Sequence, residues 1–185
     1  MSRFSRKSAP LDASRLEELA LAYVARFATT QAKLEGYLLR KLRERGWSGK
    51  GEPRAGDLAA RFAEAGYVDD AAFARMKTGS LLRRGYGMRR VGEALRAAGV
   101  DQDIREDIAP IEADTRAAAL ALARKRGFGP FGRETLGTGA SDRQKREKQI
   151  AAMLRAGHAF DSAVRMVDAA TVAEAERWAS EMEEE

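Results

Sequence analysis

Hydrophobic residues return along this chain at intervals of three and four, the spacing that gathers side chains on one face of an α-helix. The first such set is Leu16, Leu19, Ala20, Tyr23, Val24 and Phe27, opened by Ser14 with Glu17 three residues on, the pattern of a capping box. Leu34, Tyr37, Leu38 and Leu42 predict a second helix that runs to Arg45 and stops at Gly46, and Leu58 with Phe62 predicts a short third. The pattern then starts again. Asp70, directly before Ala71, Ala72 and Phe73, reads as an N-cap, and Phe73, Met76 and Leu81 face a core from the helix it opens. Gly85 and Gly87 stop that helix around Tyr86; Met88, Val91, Leu95 and Ala98 share a face of the next, which Gly99 ends. Ile104, Ile108 and Ile111 suit a short helix after Asp101. A last round comprises a helix from Thr115 to Arg126 and a glycine-rich loop. A second helix follows, with Ile150, Met153 and Leu154, opened by a Ser141/Gln144 capping box and closed by Gly157. Phe160, Val164 and Val167 give the final helix of the round.

The stops are periodic. Gly46, Gly99 and Gly157 each end a second helix, 53 and 58 residues apart, and Leu42, Leu95 and Met153 stand four residues before them, which predicts burial at equivalent places. No stretch alternates like a strand. The expected fold is therefore all-α, with three tandem three-helix repeats. The boundaries read as a basic arm at 1–13 that is flexible, repeats at 14–68, 69–112 and 113–168, and an acidic helix or tail at 169–185. The third repeat carries its loop at 127–140.

Composition narrows the function. Hydrophobic residues make up 44% of the chain but aromatics only 7%, a composition that closely packed helices of Leu, Ala and Val can bury. There is no cysteine, hence no disulfide frame or thiol nucleophile. No apolar run approaches the roughly 18 residues of a membrane-spanning helix, and the expected location is the cytoplasm. The net charge of +5 conceals a polarity: residues 1–155 hold 31 Lys and Arg against 20 Asp and Glu, whereas residues 156–185 hold 2 against 8. A basic body points to an anionic partner. The tail, with Glu174, Glu176, Glu181, Glu183, Glu184 and Glu185, either competes with that partner or docks as a helix through Val172, Ala175, Trp178 and Met182.

Catalytic chemistry is hard to place. Gly85-x-Gly87 and the Gly127–Gly132 run lack the preceding strand and the terminal Gly-Lys-Ser/Thr of a nucleotide loop. Asp69 and Asp70 suit capping better than metal binding, and the single His158 suits packing better than proton transfer. No nucleophile, base and orienting group can be named, so no enzyme activity, metal or cofactor is expected. What stands out is basic surface. Arg83, Arg84, Arg89 and Arg90 surround one helix junction, with Arg96 farther along; Arg124, Lys125 and Arg126 occupy the corresponding junction of the next repeat; Arg143, Lys145 and Arg146 follow it. Guanidinium groups in such sets suit phosphate or carboxylate.

Four stretches carry a family resemblance: LLRKLRERGW at 38–47, FAEAGYVDDAAFAR at 62–75, RRGYGMRRVGEALRAAGV at 83–100 and EKQIAAMLRAGHAFDSAV at 147–164. In order and spacing the chain resembles the RecX family of bacterial recombination regulators over roughly residues 16–168. The resemblance implies an elongated, curved helical array without enzyme activity. Such a protein binds the RecA nucleoprotein filament, modulates and most often inhibits its ATPase, recombinase and co-protease activities in DNA repair and the SOS response, binds single- and double-stranded DNA weakly, and acts as a monomer. The competing reading is a stand-alone DNA-binding regulator, because short helix pairs joined by glycine turns imitate helix-turn-helix units.

Overall fold

A computed structural model describes residues 9–132 and 139–181, and over these residues the fold is all-α, without a named strand. Ten helices follow in order: α1 (Ala13–Val24), α2 (Gln31–Arg45), α3 (Ala55–Glu64), α4 (Asp70–Arg83), α5 (Met88–Ala97), α6 (Gln102–Asp107), α7 (Glu112–Arg126), α8 (Ala140–Ala156), α9 (Phe160–Asp168) and α10 (Val172–Ser180). A 3₁₀ turn, Gly129–Phe131, lies between α7 and α8. Among the described residues no helix is long and apolar enough to cross a membrane. Residues 1–8 of the expected arm, 133–138 of the expected loop and 182–185 of the tail lie outside the described residues.

Packing groups the helices into two compact units, Met1–Phe73 with Ala98–Ile104, and Ala74–Ala97 with Arg105–Glu185. In the first, α2 packs on α1 and α3 around Leu16, Ala20, Leu34, Leu38, Ala55, Ala59, Phe62 and Val68. Leu11 joins this core and is fully buried, its backbone bonded to Gly46 and Ser48 on either side of Trp47. Residues 9–13 are therefore not part of a free arm: an apolar side chain next to the open end of a small core is drawn in even without periodic neighbours. Leu42 is only partly buried, lying in the last turn of α2 at the edge of the core.

Helix starts differ from the sequence reading in three places. Asp12, not Ser14, caps α1, accepting the Arg15 amide at 2.9 Å. Asp69, not Asp70, caps α4, accepting the Ala72 amide at 2.7 Å. Asp70 turns instead to the first amide of α2, that of Gln31, at 2.9 Å, an interaction 39 residues distant in sequence. Burial pushes its carboxyl up from the ordinary range, against the pull of that amide, with Asp69 and Asp101 pushing the same way as burial. Ser141 falls inside α8, which starts behind Gly139 without a side-chain cap.

The second unit is built on α7, α8 and α9, with Ala119, Leu122, Ala123, Ile150, Met153, Ala163, Met166, Val167 and, from α10, Ala175 at its centre. Val91 and Leu95 of α5 are buried, as is Met153, so two of the three expected equivalent positions are interior. Met76, Ile111 and Phe160, placed on core faces by spacing, are half or more exposed. Ile111 and Phe160 stand at helix starts and Met76 in the middle of α4, places where period alone cannot tell core from surface. In the described part of the glycine-rich segment Gly129 is buried, its amide donates to Gln149 at 2.8 Å, and Phe128 and Phe131 pack on the core.

Candidate functional site

The stretch around Gly85 is a helix stop with two bonds. Gly85, in the left-handed region at φ +83°, donates to Leu82, and Tyr86 donates back to Leu81. The end of α8 repeats this geometry: Gly157 at φ +97° donates to Leu154, and His158 to Met153. Both are Schellman closures, in which glycine accepts the positive φ that a Cβ would resist.

Within the second unit the two stops abut. The Gly87 amide donates to the Ala156 carbonyl at 2.9 Å, the Arg89 amide to Gly157 at 3.1 Å, and the Arg89 guanidinium to Leu154 at 2.9 Å. The positive start of α5 thus satisfies the last carbonyls of α8, a favourable meeting of helix dipole ends. Gly87 must be glycine for another reason than φ, since a Cβ there would lie 2.3 Å from the Gly157 carbonyl. His158, buried, closes the joint from its Nε2 to the Gly85 carbonyl at 3.0 Å; because a carbonyl only accepts, that nitrogen carries the proton. Burial holds the imidazole below its ordinary pKa, the Gly85 bond opposing.

This joint forms one wall of a cleft of about 420 Å³. Its lining contains Arg84, Arg90, Lys125, Arg126 and Arg155, with Tyr86 and Phe128, and no described carboxylate. Three of the helices contributing cations, α4, α7 and α8, present their C-terminal ends, where the partial negative charge of the dipole offsets the crowding of like charges. Arg84 lies over the Tyr86 ring at 5.2 Å. Glu93 stands outside, in an adjoining pocket with Arg84, Tyr86 and Arg90. Hydrogen bonds from Arg90 and Arg89 hold the Glu93 carboxyl below the usual range.

Of the eleven cations picked out by sequence, four line this cleft, Arg84, Arg90, Lys125 and Arg126, although Arg90 also pairs with Glu93 at 3.2 Å beyond its edge. Others are engaged elsewhere. Arg89 is spent on the joint and on Glu93. Arg124 pairs with Glu176 of α10 and covers Phe131. Arg146 makes a bidentate pair with Asp168 at 2.5 and 2.6 Å, and Lys145 lies 3.8 Å from Asp142. Arg83 and Arg96 are exposed beside Gly79 and Gly92 of their own helices, and Arg143 is exposed on α8. Arg155 and Phe128 were missed. A signal for Arg155 exists: cations stand directly before the stopping glycine at Arg45, Arg84 and Arg126, and Arg155 stands one residue farther from Gly157. Phe128, inside a glycine-rich run, gives none.

Fold and cleft together define the class, an all-helical protein with a rigidly jointed cationic cleft. Similarity makes the assignment particular. The model of the RecX second three-helix domain matches residues 69–107, a span that contains the Gly85–Gly87 stop and all of α5. The regulatory protein RecX of Myxococcus xanthus is 33% identical over 162 residues, covering 83% of this chain and 84% of that protein. That of Agrobacterium fabrum is 31% identical over 150 residues, covering 80% and 78%. A regulatory protein RecX of Thermus thermophilus is 38% identical over 102 residues, covering 49% and 69%. The chain belongs to the RecX family of regulatory proteins.

Proposed function

We propose that this protein binds the RecA nucleoprotein filament in the bacterial cytoplasm and inhibits its ATPase, recombinase and co-protease activities, acting as a monomer without catalytic chemistry of its own. The observation that carries the reading is the convergence of Arg84, Arg90, Lys125, Arg126 and Arg155 on one cleft without a described carboxylate, next to relatives named as regulatory proteins. Such a surface suits the phosphates of the filament's DNA or acidic groups of its protein, and tandem three-helix repeats would multiply the contacts along it.

The test is single-stranded-DNA-dependent ATP hydrolysis by RecA at increasing concentrations of this protein, with a charge-reversed variant beside it. Lys125→Glu with Arg126→Glu is the sound choice, because neither side chain holds the α5–α8 joint. Arg89→Glu would set a carboxylate against the Leu154 carbonyl and Glu93, so it reports on folding rather than binding. Inhibition by the unmodified chain, weakened tenfold or more in the double variant at unchanged helical circular dichroism, is expected. ATP hydrolysis indifferent to the unmodified protein would end the proposal.

A further inference from the structure

The cleft holds more than charge. Tyr86 is half-buried at its wall, Phe128 is half-buried in the segment that follows α7, and both face the space that the five cations line. A site for carboxylate or bare phosphate needs no aromatic wall. A nucleotide does, since its base has a π-face that stacks on aromatic or guanidinium planes while its phosphate takes the cations. Arg84 over Tyr86 at 5.2 Å presents both functions as one pair. The volume of about 420 Å³ falls at the small end of the range typical of small-ligand pockets, which suits one nucleotide unit rather than a duplex. The walls are fixed in advance: Tyr86 follows the Gly85 stop clamped by His158, and Phe128 donates its amide to Ala123 at the end of α7.

We propose that this cleft is a seat for a single nucleotide, its base against Tyr86 and Phe128 and its phosphate among Arg84, Arg90, Lys125, Arg126 and Arg155. The inference rests on the reading of the cleft as an anion-binding surface and assigns it a chemistry. A base paired in a duplex is stacked and out of reach, so the seat selects unpaired nucleotides, either within a single strand or free as a nucleoside triphosphate.

The experiment measures binding by the full-length protein in two matched pairs. Fluorescein-labelled dT12 is compared with an abasic 12-mer of the same length and charge by anisotropy, and dATP is compared with inorganic tripolyphosphate by calorimetry. The base is expected to tighten binding about tenfold in at least one pair, and the pair in which it does so tells a strand from a free nucleotide. Tyr86→Leu is expected to erase that advantage, and Tyr86→Phe to keep it. Equal binding within both pairs overturns the proposal and leaves a plain anion site; the same holds for a base advantage that survives Tyr86→Leu. Should Tyr86→Leu fail to fold, the matched pairs on the unmodified chain decide alone. RecA inhibition that persists when both pairs bind equally would show that filament binding stands without the nucleotide seat.

Discussion

His158 and Arg89 show how a titratable or charged side chain in this protein serves the joint before it serves a ligand. The imidazole is buried and donates from Nε2 to Gly85, and burial lowers its pKa from the ordinary 6.5. The unfolded chain therefore binds a proton at a higher pH than the folded chain does. Where the unfolded state holds more protons, stability rises with pH, so this residue's contribution is complete above about pH 7 and is lost as pH falls through the ordinary imidazole range. The melting temperature of the unmodified protein should fall more steeply between pH 7.5 and 5.5 than that of His158→Gln, which keeps a donor but does not titrate. Parallel curves for the two proteins would show that the imidazole takes up its proton equally in the folded and unfolded chains, so that the joint does not hold it neutral. Arg89 is comparable: it satisfies a carbonyl at the α8 terminus, a role its exposed position in the sequence pattern does not disclose.

Among the elements, α10 has the clearest division of labour. It packs on α7 through Ala175, Ala179 and the partly buried Trp178, while Glu176 meets Arg124 and Arg116 lies against Trp178 at 5.6 Å. Thr171 caps it, accepting the Glu174 amide at 3.1 Å. The docking face expected from spacing is present for Ala175 and Trp178, whereas Val172 is 39% exposed and Met182 lies outside the described residues. A chain ending at Ala170 should lose stability on the order of 2 to 4 kcal/mol from the uncovered apolar surface of α7. A chain ending at Glu181 should not, and thermal melts of both read the difference directly. The second truncation also separates docking from competition by the terminal glutamates: unchanged single-stranded-DNA affinity at low salt favours docking alone, and tighter binding favours competition.

At the scale of the whole molecule, charge is sorted by pairing rather than by number. The chain carries 33 Lys and Arg, but many answer to a nearby carboxylate, as Arg61 does to Glu17, Lys41 to Glu44 and Arg146 to Asp168. Exposed pairs of this kind add little stability, yet they lower the local positive potential and leave the cleft as a concentrated cationic surface. Binding to single-stranded DNA should therefore depend on salt as a few contacts rather than as the whole excess of charge. A seat for one nucleotide engages its own phosphate and a flanking one, about two contacts, which predicts a slope of log K against log salt of about −1.4, and Lys125→Gln with Arg126→Gln should flatten it. A slope unaffected by the double variant would place the contacts on another surface.

By itself the sequence determined what local physics determines. Spacing of apolar residues marked the helices, glycines marked their stops, and Leu95, Met153, Ala20 and Leu34 fell on interior faces, because a helical period ties a face to residue number. It also picked out the Gly85–Gly87 junction and four of the five cleft cations. What only the tertiary structure decided were relations that no period encodes: Leu11 drawn into the first core from a nonperiodic segment, Asp70 turned to Gln31, and Arg124 taken by Glu176 52 residues away. Phe128 and Arg155 entered the cleft only through the packing of α7 and α8 on α9. A helix repeats its own face every few residues, but which side chains of different helices converge depends on how those helices pack, and that is fixed by shape, close backbone approach and charge pairing across the fold.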